Sequence, residues 1–352
     1  MSRFWSELAN KLTPYVPGEQ PKGVKLVKLN TNESPYGPAP GVLDAIVATS
    51  GESLRRYPDP DSSELRAAYA LREGLEPNQV FLGNGSDEVL AHTFQALLKH
   101  ARPLLFPDIS YSFYPVWCEL YEMQYQSVPL TSDFRVDVDS YQVDNGGILI
   151  PNPNAPTGVL LSLGEISHLL QNNRDSVVVI DEAYIDFGGE SATALIPQFD
   201  NLLVVQTVSK SRSMAGMRVG VAFGSSELIQ GLVRVKDSFN SYPMDVVAQQ
   251  ATLASLADEQ WLQDSCQKVI DTRQRVSGSL QELGFEVLPS AANFIFTRHP
   301  ERAAESLFSA LRERGIIVRY FNKPRISEFL RISIGTDMDM DALLAALADI
   351  LA

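Results

Sequence analysis

Val177-Val-Val-Ile-Asp-Glu-Ala-Tyr184 is a run of four aliphatic residues stopped by two carboxylates. An unbroken β-branched run has no polar face to turn to solvent, so it suits a strand buried on both faces of a mostly parallel sheet. Leu202-Leu-Val-Val205 repeats the pattern. Outward from these two, short apolar runs bounded by turn residues stand at 79–82, 103–106 and 147–150. Helical patterns lie between them. Residues 86–100 carry Val89, Leu90, Phe94, Leu97 and Leu98 at helical spacing. Ser162-Leu-Gly-Glu165 has the form of a capping box, and Asp61-Ser-Ser-Glu64 reads as an N-cap with an acidic residue three positions on. The alternation predicts an α/β fold with helices on both sides of the sheet.

The chain of 352 residues is long enough for two domains. Leu262, Cys266, Val269, Ile270, Arg273, Val276, Leu280 and Leu283 fall mostly on one stripe, predicting a long helix that stops before Gly284. Beyond it, strands near 285–288, 293–297 and 329–334 mix with helices at 301–314 and 337–351, the pattern of a smaller α+β domain. The first forty residues are rich in Pro and Gly and read as an irregular arm with one short strand near 24–29. The expected organisation is an arm, 1–42, packing on the smaller domain; a large domain, 43–258; and the small domain, 259–352.

Acidic residues outnumber basic ones by 43 to 29, a net charge of -14, which disfavours nucleic acid and anionic membrane as partners. No run approaches the roughly 18 apolar residues of a membrane span. The start, Met-Ser-Arg-Phe-Trp-Ser-Glu, lacks the continuous apolar core of a signal peptide. Two cysteines, Cys118 and Cys266, make no disulfide framework. The expectation is a soluble cytoplasmic protein. His92, His100, His168 and His299 are scattered without metal-ligand spacing, so no metal is expected. There is no Walker A sequence, no Gly-x-Ser-x-Gly elbow, and the glycine pair of Gly83-Asn-Gly-Ser-Asp-Glu88 lacks the third glycine of a dinucleotide fingerprint.

Polar residues collect where the strands end, which is where open α/β sheets bind ligands. Gly85 precedes Ser86 and Asp87 at a helix start, whose free N–H groups suit a phosphate; taken alone, a plain capping loop is the commoner reading. Asp181 ends a strand, as many solvated carboxylates do, or it could face the protonated nitrogen of a heterocycle. Lys210 follows another strand end among Thr207, Ser209, Ser211 and Ser213, with Arg218 eight residues on. Most lysines are solvated surface charges, but an enclosed one near cations can act as an amine nucleophile. Arg218 is planar and permanently charged, which suits phosphate.

In this order the motifs resemble the fold-type-I pyridoxal-phosphate (PLP) aminotransferases over nearly the whole chain, and the branch they resemble most is that of the histidinol-phosphate aminotransferases. The motifs are Leu29-Asn-Thr-Asn-Glu-Ser-Pro-Tyr-Gly-Pro38, Arg56-Tyr-Pro-Asp59, Gly83–Glu88, Pro156-Thr-Gly158, Asp181-Glu-Ala-Tyr184, Ser209-Lys-Ser211 through Arg218, and Leu330-Arg-Ile-Ser-Ile-Gly-Thr336. The resemblance implies a large domain with a mostly parallel sheet between helices and a smaller α+β domain. It implies PLP held covalently by Lys210, the ring nitrogen paired with Asp181, and the ring hydroxyl bonded by Tyr184. Tyr111 would stack on the ring, and Gly85, Ser86, Asp87, Ser209 and Arg218 would surround the phosphate. Tyr57 would reach the phosphate of a second subunit, implying a homodimer. Arg331 would clamp the substrate α-carboxylate. Arg319 would meet the phosphate of histidinol phosphate or the distal carboxylate of glutamate, with Tyr15 and Asn32 closing over the substrate. The family usually has Asn directly before Pro-Thr-Gly; here Ala155 stands there, so Asn154 or Asn152 reaches the ring hydroxyl or Tyr184 serves alone. The implied reaction passes an amino group between histidinol phosphate and 2-oxoglutarate. Aromatic-amino-acid aminotransferase and threonine-phosphate decarboxylase share the cofactor motifs. A non-catalytic PLP-binding regulator is the reading from another class, and no effector module is visible to support it.

Overall fold

A computed structural model describes residues 3–16, 18–20, 26–49 and 51–352. A seven-stranded sheet runs in the order Val80–Gly83, Gly220–Gly224, Leu202–Thr207, Val178–Asp181, Gly147–Pro151, Leu104–Pro107, Tyr125–Val128. All neighbours are parallel except Gly220–Gly224, which runs antiparallel to both strands beside it. The α/β class with a mostly parallel sheet is therefore the observed one.

The aliphatic runs explain why this sheet is covered on both faces. Val178, Ile180, Leu202 and Val204 pack into one core, and Val179, Leu203 and Val205 into the other. All seven are fully buried, and each contributes roughly 1.5–3 kcal/mol of burial. Helices Leu163–Asn172 and Val246–Leu256 cover the first face, and Ser86–Thr93 and Ser226–Phe239 the second. The helix at Leu163 starts with the predicted capping box, Ser162 and Glu165 bonding reciprocally.

At Asp61 the local reading differs. The helix is Ser63–Glu73, and Asp59 rather than Asp61 receives the Asp61 and Ser63 N–H groups. A carboxylate two residues earlier reaches both donors because Ser62 takes a left-handed turn, φ 47°. The helix expected over 86–100 is shorter: Ser86–Thr93 widens into a π-turn at Phe94–Leu98.

The smaller part is an antiparallel four-stranded sheet, Arg319–Tyr320, Leu330–Ser333, Phe294–Arg298 and Glu286–Val287. Helix Glu259–Glu282 buries Leu262, Cys266, Val269, Val276 and Leu280 against Ile295, Leu330, Ile332 and the closing helix Asp337–Leu351. Val27–Lys28 of the arm pairs in parallel with Ile316–Ile317. The strand expected near 24–29 is described only from Leu26 onward; residues 24 and 25 lie outside the described residues. Ile109, Leu130 and Phe134 meet Phe296, Ile326 and Phe329 where the two parts join, with Phe296 stacked on Phe329 at 4.7 Å.

Candidate active site

The strand ends and the arm enclose a cavity of about 480 Å³. Ser86, Asp87, Asp181, Tyr184, Ser209, Lys210 and Arg218 line it from the large sheet, with Tyr111 from the loop after Leu104–Pro107. Tyr15 and Asn32 line it from the arm, and Arg319 and Arg331 from the small sheet. Residues up to 316 positions apart in the chain thus converge on one space.

Asp181 is the most constrained of them. It is buried, its Oδ2 accepts the Tyr114 hydroxyl at 2.8 Å, and its Oδ1 is buried without a partner. Burial, opposed by the Tyr114 bond and helped by the Asp87 charge, pushes its carboxyl up to about 6. Next to it Glu182, also buried, accepts the Ala192 N–H, the Ser191 hydroxyl and the Gln206 amide. That ties two strand ends to the 191–195 turn, and burial pushes Glu182 up to about 7.

Lys210 donates to the Thr31 carbonyl at 3.3 Å, and its amine stands 5.7 Å from the centre of the Tyr184 ring. The flanking side chains fix the loop: Ser211 donates to Asp186, and buried Arg212 donates to the Ser255 carbonyl and to Glu259. Ser213 and Arg218 both take left-handed φ, 60° and 53°, a strain that persists only where the surroundings enforce it.

At the other end of this group, Arg218 Nη2 donates to Asp87 Oδ2 at 3.2 Å, and the Tyr111 hydroxyl donates to Asp87 Oδ1 at 3.3 Å. Gly85, φ +84°, passes so close that a Cβ there would lie 2.5 Å from Arg218 Nη2. Helix Ser86–Thr93 begins at this point, where the first N–H groups have no intrahelical partner.

From the small sheet, Arg331 Nη2 donates to the Asn30 carbonyl at 2.9 Å while its Nε is buried without a partner. Burial lowers the Arg331 guanidinium from its ordinary value, and the neighbouring Arg319 charge lowers it further. Arg325 donates to Asp108 at 2.7 Å and to the Leu130 and Thr131 carbonyls, both at 2.9 Å, across the cavity mouth.

Four of the sequence-predicted residues, Gly85, Asn152, Asn154 and Tyr57, do not line the cavity. Asn154 is buried, its amide N–H groups going to the Ile109 carbonyl and the Thr157 hydroxyl, and Asn152 is closed on the Leu161 backbone. Ala155 and Pro156 face the cavity instead. Tyr57 is 82% exposed on the surface and stacks on Tyr242 at 4.7 Å. Sequence reading missed Tyr114, Asn30 and Thr31. The last two act partly through backbone carbonyls, which leave no side-chain signal.

These residues fit PLP. An amine, a buried carboxylate oxygen lacking a partner, a phenol and an anion cradle surround one volume, which is the donor set that a ring with an aldehyde, a protonated nitrogen, a hydroxyl and a phosphate needs. Among the described residues no cluster of His, Cys, Asp or Glu could hold a metal ion.

An α/β sheet with a lysine and an acid at adjoining strand ends fits a lysine-centred cofactor enzyme. The family model for aminotransferase class I and II matches residues 24–347, and the chain belongs to that family. It is 59% identical over 351 residues to histidinol-phosphate aminotransferase 1 of Hydrogenovibrio crunogenus, covering 100% of this chain and 99% of that one. It is 58% identical over 351 residues, with the same coverage, to histidinol-phosphate aminotransferase of Acetobacter pasteurianus. Histidinol-phosphate aminotransferase from Sinorhizobium meliloti, solved in complex with pyridoxal-5'-phosphate, superposes with a TM-score of 0.90 at 26% identity, covering 100% of this chain and 98% of that one.

Proposed function

We propose that this chain transfers the amino group of L-histidinol phosphate to 2-oxoglutarate with PLP as cofactor, giving imidazole acetol phosphate and L-glutamate, a step of histidine biosynthesis. The observation that carries the reading is Lys210 and buried Asp181 lining one cavity together with Arg319 and Arg331. Full-length identity of 59% to a protein named for this activity supports the substrate.

When bound, the cofactor supplies an aldehyde for the amine and an electron sink for the substrate carbanion. Lys210 holds it covalently and, once released, takes the substrate Cα proton and returns it, with the Thr31 carbonyl as its resting acceptor. Asp181 would pair with the ring nitrogen and favour its protonated form, the two opposite charges stabilising each other. Tyr184 would bond the ring hydroxyl alone, since Asn152 and the amide N–H groups of Asn154 are engaged elsewhere. Tyr111 would stack on the ring. Gly85, Ser86, Asp87, Ser209 and Arg218 frame the phosphate, with Asp87 holding Arg218 in place. Arg331 takes the α-carboxylate of glutamate, and Arg319 the substrate phosphate or the distal carboxylate. Tyr15 and Asn32 cover the site from the arm.

The proposed assembly is a homodimer with Tyr57 reaching the second subunit's cofactor phosphate. Leu43, Val47, Leu54, Tyr57, Phe239 and Tyr242 are exposed large hydrophobics, which a second copy would cover. Cys118 and Cys266 are buried free thiols, which supports a reducing cytoplasm as the compartment. No helix among the described residues is long and apolar enough to cross a membrane.

Borohydride reduction of the purified protein should fix a pyridoxyl group on Lys210, and Lys210→Ala should lose transamination and visible absorption together. A label on another lysine would end the reading. L-threonine-O-3-phosphate decarboxylase from Porphyromonas gingivalis shares the fold, with a TM-score of 0.80 at 24% identity, so the substrate needs its own test. Histidinol phosphate should be turned over in preference to phenylalanine and threonine phosphate.

A further inference from the structure

Asn32 sits in the middle of the site although it belongs to the arm. It is 1% exposed and takes a left-handed φ of 56°, a region Asn enters more readily than most residues. Its neighbours Asn30 and Thr31 use their carbonyls on Arg331 and Lys210. Asn32 itself has every polar group committed. Its N–H donates to Ser333 Oγ at 2.9 Å, and Ser333 Oγ donates back to Asn32 Oδ1 at 2.8 Å. Its carbonyl accepts Asn293 Nδ2 at 3.0 Å. Its own Nδ2 lies 3.0 Å from the Tyr184 hydroxyl.

The last bond has a direction. An amide nitrogen only donates, so the Tyr184 oxygen must be the acceptor. Tyr184 has a single hydroxyl proton, which therefore points away from Asn32, and Tyr184 lines the cavity. Ser333 fixes the amide in this sense. Reversed, Asn32 would present Nδ2 to an oxygen that already accepts its N–H, and the Ser333 proton would lose the acceptor it has here. The bond also draws electron density from the phenol oxygen, which makes Tyr184 a better donor.

We propose that Asn32, locked by Ser333, is a positioning residue that aims the Tyr184 proton into the cavity. The inference rests on reading that cavity as the PLP site. There Asn32 acts on the cofactor's ring hydroxyl through Tyr184 rather than by touching substrate.

The test is the pH titration of the visible absorption of the holoenzyme. Asn32→Asp keeps the shape but replaces the donor with an acceptor, so the Tyr184 proton turns back toward the arm. The cofactor oxygen then loses a donor that favoured its ionised form, and the titration midpoint should rise by on the order of one pH unit, the size of one lost hydrogen bond. In a Tyr184→Phe background, whose midpoint should already be raised, Asn32→Asp should add only the smaller rise that its negative charge causes. Ser333→Ala, a milder change that frees the amide to turn, should move the midpoint the same way by less, and it carries the test if Asn32→Asp does not fold. An unmoved midpoint in both variants, or an equal shift in the Tyr184→Phe background, overturns the inference while the cofactor site stands. A wild-type protein with no cofactor on Lys210 overturns the site and the inference together.

Discussion

The Tyr114 hydroxyl donates to Asp181 Oδ2 at 2.8 Å and leaves Asp181 Oδ1 buried with no partner. Burial outweighs what these neighbours return to the carboxylate, so the Asp181 carboxyl rises to about 6 from an ordinary 3.8. A raised carboxyl means that folding binds a proton between those two values. Its contribution to the stability of cofactor-free protein is full below about pH 4 and is lost as the pH rises through 6. Asp181→Asn keeps the Tyr114 bond and removes the ionisation. The cofactor-free variant should therefore be more stable than wild type at pH 8, by up to about 3 kcal/mol for two pH units, and the gain should shrink at pH 4. Urea unfolding at both values measures it, and a difference that did not depend on pH would refute the account. The same variant should lose transamination, the trade of stability for function that the proposed pairing of Asp181 with a ligand cation entails.

Arg218 and Gly85 make a second case. Gly85→Ala puts a Cβ 2.5 Å from Arg218 Nη2 and imposes φ +84° on a non-glycine residue. The guanidinium is a flexible end and can yield, so the expected stability loss is about 1–2 kcal/mol. PLP affinity should fall by roughly 10- to 100-fold as Arg218 leaves its place, the worth of one charge-assisted bond. Gly220→Ala is harsher, since its Cβ would meet Gly85 C and Ser86 N at 2.4 Å, and backbone cannot step aside. Equilibrium titration of stripped protein with PLP, beside thermal unfolding, separates the two effects.

What was legible in the chain follows from where each signal resides. Strands such as Val178–Asp181 were readable because burial on both faces demands consecutive aliphatics. Gly220–Gly224 was not assigned, because Gly220, Ala222 and Gly224 carry little β-signal; small residues are needed there, where Gly85 and Ser86 pass. Lys210, Asp181 and Arg218 stood out as charged residues at strand ends. Tyr114 did not, since an aromatic in an aromatic-rich helix start is usually core, and only the fold brings it to Asp181. Asn154 was suggested only by the resemblance, as a stand-in for the Asn that Ala155 replaces, but the turn closes its amide on Ile109 and Thr157.

Arg325 shows how contacts between the two parts bear on the substrate. It takes φ 67°, donates to Asp108 and two carbonyls of the large part, and sits 5.7 Å from the Phe134 ring, itself at φ 61°. It therefore pins the 321–326 loop, which lines the cavity. At 37% exposure its ion pair is screened, so the loss on Arg325→Ala should be modest, about 1 kcal/mol. KM for both substrates should rise about 3- to 10-fold with kcat little changed, because the chemistry at Lys210 is untouched. Steady-state kinetics decides; a fall in kcat with KM constant would mean that Arg325 serves the reacting atoms instead.

Arg319 and Arg331 are directly opposite partners in an antiparallel pair, and both line the cavity. Side chains so paired share a face, where like charges destabilise the sheet by a few tenths to 1 kcal/mol. Each guanidinium lies near the Phe321 ring, at 5.4 and 5.5 Å, which offsets part of that repulsion. An anion between the two forks would offset the rest. Inorganic phosphate should therefore raise the melting temperature of the holoenzyme, where the cofactor already fills the Arg218 end, and the rise should grow with concentration as mass action requires. In Arg319→Gln the repulsion is gone before any anion arrives. That variant should start slightly more stable than wild type, by up to about 1 kcal/mol, and respond little to phosphate, while its KM for histidinol phosphate rises on the order of 100-fold through loss of a bidentate contact. Sodium chloride at matched ionic strength controls for screening. If phosphate stabilises wild type and Arg319→Gln alike, the anion binds elsewhere and the paired arginines have another purpose.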